Sequence, residues 1–335
     1  MLNKIITSLI PLLCIYNVSS QNNIDKFGFN RAVKDFQMKE TLVILGEAHE
    51  VAGTYILESF IVEEFAKKGY TTLIIEGGNS EAIILNEYLR TGNESILEYT
   101  RARGGDYRRL LTKIKTLINI NLNLEIIGVD FERARCLEYL FSIWFNNITN
   151  PKLKAVISSL QSINSKTSPK KIKKIILKVK KDYGKYEIAF KKELGKNSEQ
   201  LFKIIHNPCF EADYGMSSRK RDKSILQNLM NINTEKLKKS ILIFGSNHFT
   251  HKKHFWPAFA NSKASEIECL LILFSYKNCT NFTQNNKYNS TEPLSIYVEN
   301  DDPEKCKISF ELVKNTKLSL SEKENRMIIV KLINQ

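Results

Sequence analysis

Four short apolar runs, at residues 41–45, 71–75, 124–129 and 241–244, are each followed by side chains that could do chemistry. The side chains are, in chain order, Glu47 and His49, Glu76, Asp130, and Asn247 with His248. Parallel strands deliver the residues that follow them to one edge of a sheet, where open α/β folds bind their ligands. The pattern therefore predicts one site built from the ends of four strands.

Imidazoles and carboxylates gathered at one edge suit hydrolysis by activated water. A His held by a carboxylate can take a proton from water near neutral pH, and a second His can polarise a carbonyl or protonate the leaving group. We therefore take His49, Glu47, Glu76 and His248 as candidate catalytic residues. The glycine pair 77–78 behind Glu76 would let a ligand approach the backbone closely.

The same residue types also suit a divalent metal ion, with His49, Glu76 and His248 as its ligands. Sequence alone leaves metal-free and metal-assisted chemistry open. The chain has no G-x-S-x-G motif and no Ser or Cys in an obvious nucleophile context, which argues against a covalent serine or cysteine hydrolase.

The composition is that of a soluble globular protein, with 42% hydrophobic and 26% charged residues. The formal net charge of +14 comes from Lys rather than Arg and is concentrated in one central segment. No zinc finger, helix-turn-helix or RNA-binding signature accompanies it. We expect a solvated basic surface, a small-molecule substrate and no nucleic-acid partner.

The first twenty residues predict a cleaved signal peptide. Lys4 precedes an apolar run at 5–18, and Val18-Ser19-Ser20 has the small-residue spacing of a cleavage site. The run is too short for a comfortable membrane span. We expect a secreted or periplasmic protein that starts near Gln21 and has no stable membrane insertion. A lipoprotein attached through Cys14 is the alternative, but Leu13 stands where a small residue would be needed.

The remaining cysteines do not form a zinc or disulfide framework, because they are odd in number and have no close pairs. They are Cys136, Cys209, Cys269, Cys279 and Cys306. A bridge between Cys279 and Cys306, which flank a polar segment, and unpaired buried thiols are both open.

The strand, helix and strand between Thr41 and Ile75 predict a βαβ unit with parallel strands. A helix is expected at 80–89 with Ser80 as its N-cap, and others at 106–119 and 217–237. Further strands are expected at 268–274, 294–298, 308–313 and 327–333. The fold class is therefore α/β: a mostly parallel central sheet flanked by helices, with a β-rich C-terminal part.

A Lys-rich segment at about 151–207 reads as two or three helices inserted into this fold. We expect residues 21–335 to form a single domain that carries this insertion. The insertion could be a solvated basic surface or a lid over the cleft.

Several blocks of the chain, in their order, resemble the erythromycin esterase family. They are LGEAH at 45–49, the strand ending in Glu76, LNEYLRTG at 85–92, IGVD at 127–130, Arg221-Asp222, and GSNH at 245–248. That family belongs to a superfamily with the haem-binding ChaN-like lipoproteins and the Tiki-type metalloproteases. The resemblance covers about Thr41 to Thr250.

The resemblance implies an α/β sheet with helical insertions and a cleft at the strand ends. In the esterases a His after the first strand is the proposed base that activates water to open a macrolactone ester. His49 would take that role here, with Glu47 and Glu76 as acidic partners and His248 as the second imidazole. Asp130, Arg221 and Asn247 would then be candidate substrate-binding residues.

Two departures from the esterase pattern argue against a macrolide substrate, and the first of them also supports a second hypothesis. The spacing from Glu47 to His49 is the shorter one of the ChaN-like branch, and Glu58 stands in the region where esterases often carry an Arg. We expect an exported hydrolase that acts on an ester or amide through His-activated water, with or without a metal ion. The alternative is a ChaN-like protein that binds haem or a metal ion without turnover.

Overall fold

The computed structural model describes residues 41–47, 54–103, 105–120, 122–210, 219–245, 248, 259, 267–277, 306–313 and 326–334. The predicted signal peptide, His49, Asn247, Cys279 and the run 294–298 lie outside these residues. They therefore stay predictions.

The described residues form seven strands and nine α-helices. The strands are β1 (Thr41–Glu47), β2 (Thr72–Ile75), β3 (Glu125–Gly128), β4 (Ser240–Gly245), β5 (Glu268–Lys277), β6 (Cys306–Val313) and β7 (Arg326–Asn334). The helices are α1 (Thr54–Ala66), α2 (Asn79–Thr91), α3 (Gly105–Asn119), α4 (Ala134–Trp144), α5 (Lys154–Gln161), α6 (Pro169–Leu194), α7 (Asn197–Ile205), α8 (Arg219–Met230) and α9 (Thr234–Leu237).

The strands form one sheet in the order β3-β2-β4-β1-β5-β7-β6. All neighbouring pairs are parallel except β6 with β7, which is antiparallel. The prediction of an α/β fold with a mostly parallel sheet is confirmed. β4 lies between β1 and β2, so the two strands of the predicted βαβ unit are parallel but are not neighbours.

Helices cover both faces of the sheet, which is why β1, β2 and β4 are buried along their whole length. On β1, Val43 and Leu45 belong to a large apolar core that includes residues of α1 to α7. Leu42 and Ile44 belong to a smaller core with α8 and α9 on the other face. The alternation follows from the two-residue period of a strand.

The predicted helical insertion consists of α5, α6 and α7. The longest, α6, begins with Ser168 as its N-cap, whose side chain accepts a hydrogen bond from the backbone N–H of Lys171, and with Pro169 at its first position. It ends at Gly195, whose φ is 55°. The C-terminal strands β5, β7 and β6 extend the central sheet, which agrees with the predicted β-rich C-terminal part.

Helix α2 begins one residue earlier than predicted. Gly78, not Ser80, is its N-cap, and Gly78 offers no side chain to the first turn. The carboxylate of Glu132 takes the place of the cap by accepting hydrogen bonds from the backbone N–H groups of Asn79 (3.0 Å) and Ser80 (2.8 Å). A residue remote in sequence thus supplies the cap, and local sequence could not show it.

Within the described ranges, no helix combines the length and the apolar character needed to cross a bilayer. Cys136 and Cys209 are buried free thiols, and the side chain of Cys269 is also buried.

Candidate active site

The carboxyl ends of β2, β3 and β4 bring four of the predicted residues together. Glu76 directly follows β2, Asp130 lies two residues beyond β3, and His248 lies three residues beyond β4. Arg221, in the first turn of α8, reaches them from another element. Because the three strands are neighbours in the sheet, their ends converge although β4 is far away in sequence.

The guanidinium group of Arg221 links the two carboxylates. Its Nε donates to Asp130 Oδ1 at 3.0 Å, and its Nη2 donates to Glu76 Oε1 at 2.6 Å and also to Asp130 Oδ2. Burial lowers the pKa of Arg221, but the hydrogen bonds and charge of Asp130 together with Glu76 raise it above its ordinary value. Arg221 is therefore a permanent cation that neutralises part of a largely buried acidic cluster.

The imidazole of His248 lies between two further carboxylate contacts. Its Nε2 is 3.3 Å from Glu76 Oε1, and its Nδ1 is 3.0 Å from Asp222 Oδ1. Burial lowers the pKa of His248, but Asp222 and Glu76 outweigh burial and raise it to about 9. His248 is therefore protonated at neutral pH, with an N–H directed at each carboxylate.

Glu76 is the centre of this arrangement. Its Oε1 contacts both Arg221 and His248, and its Oε2 accepts a hydrogen bond from the backbone N–H of Gly245 at 3.0 Å. The last residue of β4 thus fixes the carboxylate that follows β2. The side chain of Glu76, which follows β2, thus contacts the end of β4, helix α8 and the imidazole of His248.

Glu47, at the end of β1, meets a different environment. It lies next to Glu58 of α1, which is fully buried. Burial and the Glu47 carboxyl group raise the pKa of Glu58 well above its ordinary value. In the described part of the chain no side-chain or backbone donor satisfies the Glu58 oxygens. The two carboxyl groups can therefore hydrogen-bond only through a proton that one of them carries.

Another buried carboxylate, Glu81 of α2, lies close to this edge and is ionised. Its Oε1 accepts from the backbone N–H of Arg101 at 2.9 Å, and its Oε2 accepts from Arg133 Nε at 3.3 Å. Burial raises the pKa of Glu81, but the two arginines outweigh it and lower the pKa overall. Arg101 also interacts electrostatically with Glu47 and Glu76. It therefore acts on the carboxyl groups at the end of β1 and at the end of β2.

The sequence indicated that the glycine pair 77–78 would let a ligand approach the backbone. In the structure this space is filled by protein atoms. A Cβ on Gly78 would lie 2.5 Å from Glu132 Oε2 and 2.7 Å from the carbonyl oxygen of Phe131. A Cβ on Gly128 would lie 2.1 Å from the carbonyl oxygen of Gly78. The glycines are needed because the turns after β2 and β3 pack directly on each other.

Several polar residues of this region were not among the predicted site residues, and three of them are Asp222, Glu58 and Asn207. Asp222, which holds His248, immediately follows Arg221, and a polar first turn of α8 was the available signal. Glu58 lies three residues before Ile61 and seven before Phe65, which places it on the apolar face of α1. Asn207 donates to Glu132 Oε1 at 2.7 Å, and nothing local in sequence indicates this contact.

The residues described here do not fit a metal ion well. Both ring nitrogens of His248 face carboxylate oxygens, so neither offers a free lone pair to a cation. No group of three or more His, Cys, Asp or Glu side chains in the described ranges has an arrangement that could hold a metal ion. His49, the other candidate imidazole ligand, lies outside those ranges.

Solved structures with a similar fold include a protein from Bacillus cereus and a succinoglycan biosynthesis protein. The first is 15% identical, with a TM-score of 0.57 over 88% of this chain and 90% of that chain. The second is 14% identical, with a TM-score of 0.50 over 75% of this chain and 69% of that chain. At such identities the likeness shows the fold alone.

A mutant of an erythromycin esterase in its open conformation is 12% identical, with a TM-score of 0.48 over 90% of this chain and 78% of that chain. No protein-family profile matches the chain. No curated protein matches it significantly.

Proposed function

We propose that this edge of the sheet is the active site of an exported hydrolase, which cleaves an ester or amide with a water molecule activated by His49. The observation that carries the proposal is the placement of the His248 imidazole between Asp222 and Glu76 at the ends of three parallel strands. An imidazole held in this way is pre-organised for proton transfer at a fixed position.

His248 is the acid of the proposed reaction. Because its pKa is about 9, it carries a proton at neutral pH and cannot serve as a base there. The shorter contact of Nδ1 with Asp222 fixes the ring, and the longer contact of Nε2 with Glu76 leaves the Nε2 proton to be donated. That proton would go to the oxygen or nitrogen of the leaving group.

The base must then be a different group, and His49 is the candidate that the resemblance to the erythromycin esterases implies. A base and an acid with separate pKa values allow one site to take a proton from water and give another to the leaving group. Asp130 and Arg221 act in this proposal as positioning residues rather than as substrate contacts. The hydrogen bonds that Arg221 donates to Asp130 and to Glu76 support that role.

The proposal is tested with p-nitrophenyl esters and a panel of lactones as probe substrates. We expect His49→Gln and His248→Gln each to lower kcat/KM by about 10²-fold or more, the range of a lost general acid or base. His206→Gln is the matched control, because His206 ends α7 outside the cluster and should leave kcat/KM unchanged. Full activity in the His248→Gln variant would overturn the role of His248.

The pH dependence separates the two histidines. A general acid works in its protonated form, so kcat/KM should fall as the pH rises through about 9, the pKa of His248. In Asp222→Asn this fall should move to lower pH, because a carboxylate that raises the pKa is gone. An alkaline limb that does not move would show that another group titrates there.

A further inference from the structure

The outer surface of the helical insertion carries an unusual concentration of positive charge. Residues 151–181 contain ten lysines and no Asp or Glu. The lysines are Lys152, Lys154, Lys166, Lys170, Lys171, Lys173, Lys174, Lys178, Lys180 and Lys181. No arginine occurs anywhere between Arg135 and Arg219.

Much of this charge forms a straight row on α6. At 100° per residue, one set of exposed side chains falls within about 80° of the helix circumference. This set, which we call the lysine row, consists of Lys170, Lys174, Lys178, Lys181, Lys185, Ile188 and Lys192. From its first to its last residue the lysine row is about 33 Å long, at 1.5 Å per residue.

The opposite side of α6 is the buried one, so the lysine row faces outward. Ile172, Ile176, Val179 and Tyr183 are at most 3% exposed and belong to the large core. In the row itself, Lys185 pairs with Asp182 at 3.1 Å, and Ile188 is 85% exposed. No other lysine of the row has a carboxylate within 4.0 Å among the described residues.

We propose that the lysine row is a docking surface for a membrane rich in anionic phospholipids. A row of flexible ammonium groups on one convex helix face can reach a flat layer of phosphate groups at the same time. The exposed Ile188 adds an apolar contact that a headgroup layer accepts and that bulk water does not favour. The protein would lie on the membrane surface, with the insertion as the contact.

A nucleic acid is the competing polyanion, and the row fits it less well. Single-stranded nucleic acids are held by aromatic stacking, and phosphates are often held by the planar fork of Arg. The lysine row has no aromatic residue and no Arg, and Tyr183 and Phe190 of the same helix face the core. Its chemistry is that of point charges on flexible stems.

The test is sedimentation of the full chain with vesicles of phosphatidylcholine that contain about a third of phosphatidylserine, at about 0.1 M salt. We expect binding to these vesicles and none to pure phosphatidylcholine vesicles. The variant Lys174→Gln/Lys178→Gln/Lys181→Gln should bind roughly a hundredfold more weakly, at about fivefold for each lysine. Ile188→Ser should weaken binding to a smaller extent.

The matched control is Lys68→Gln/Lys203→Gln/Lys223→Gln, which removes the same net charge from exposed positions outside the row. Circular dichroism of both variants shows whether α6 is still folded. Near-wild-type binding by the control supports a localised docking surface. Equal loss in the two triple variants, equal binding to both kinds of vesicle, or binding to a single-stranded oligonucleotide but not to vesicles would overturn the proposal.

Discussion

The carboxyl groups at the site edge are kept inside the protein in two opposite ways. At the ends of β2 and β3, Glu76 and Asp130 share the guanidinium group of Arg221, and Glu76 also contacts the imidazole of His248. At the end of β1, Glu47 lies beside Glu58, whose buried carboxyl group has a raised pKa. One half of the edge is therefore held by fixed opposite charges, and the other by a proton that can be lost.

Buried carboxyl groups in one fold therefore need not share a charge state. Glu81 and Glu58 are both 0% exposed, yet the pKa of Glu81 is lowered and that of Glu58 is raised. The contrast follows from the partners, because arginines surround Glu81 and another carboxyl group faces Glu58. Three substitutions test this contrast between the two environments.

The largest expected effect is that of Arg221→Met, which leaves two buried carboxylates without their cation. We expect the free energy of unfolding at pH 7 to fall by about 3–5 kcal/mol. Urea denaturation measures it. Arg90→Met is the matched control, because Arg90 pairs with Glu87 on the exposed surface of α2, and its loss should cost far less stability than that of Arg221. Similar losses in the two variants would mean that Arg221 does not neutralise a buried cluster.

The second effect is a dependence of stability on pH that comes from His248. The pKa of His248 is about 9 in the folded protein, compared with the ordinary value of 6.5 for a histidine without these partners. The folded state thus holds the proton more tightly, and the stabilisation is fully present below about pH 6.5 and is lost as the pH rises to about 9. The wild-type protein should lose about 3 kcal/mol more than His248→Gln over this interval. Parallel stability curves for the two proteins would contradict the contacts of His248.

The smallest effect is expected for Glu58→Gln. Below pH 4.5, where Glu58 carries its proton in the folded and in the unfolded chain, its amide analogue should change the free energy of unfolding by less than about 1 kcal/mol. At pH 7 the same substitution at Glu81 removes a charge that two arginines face and should cost about 3–5 kcal/mol. Because the pKa of Glu58 is raised, the wild type should lose stability relative to Glu58→Gln as the pH rises above 4.5. A large cost at Glu58 and a small one at Glu81 would reverse the comparison.

The sheet and much of its edge could be predicted from the sequence, because both depend on local patterns. Apolar runs that end in Gly46, Glu76, Asp130 and Gly245 mark strand ends, and parallel strands bring such ends to one side. The helical insertion could be predicted for the same reason, since the apolar spacing of α6 repeats every three or four residues.

The contacts that set the charge states could not be predicted, because each joins residues far apart in sequence. Arg221 and Asp130 are 91 residues apart, and His248 and Glu76 are 172 apart. The order of strands in the sheet was not predicted either, and it is this order that places β4 between β1 and β2. Glu58 was noticed only as a departure from the esterase pattern, and its burial against Glu47 required the packing of α1 on the sheet.

The position of β4 also has a consequence for how the chain acquires its structure. β1 and β2 are made early in synthesis, but the strand that pairs with both of them begins at Ser240. Until β4 is inserted, the edges of β1 and β2 that will pair with it have no hydrogen-bonding partner strand. Pairing strands across so long a loop is slow, because closing the loop costs chain entropy before the contacts between the strands can stabilise it. We therefore expect the centre of the molecule to be completed late, together with the hydrogen bond from Gly245 to Glu76.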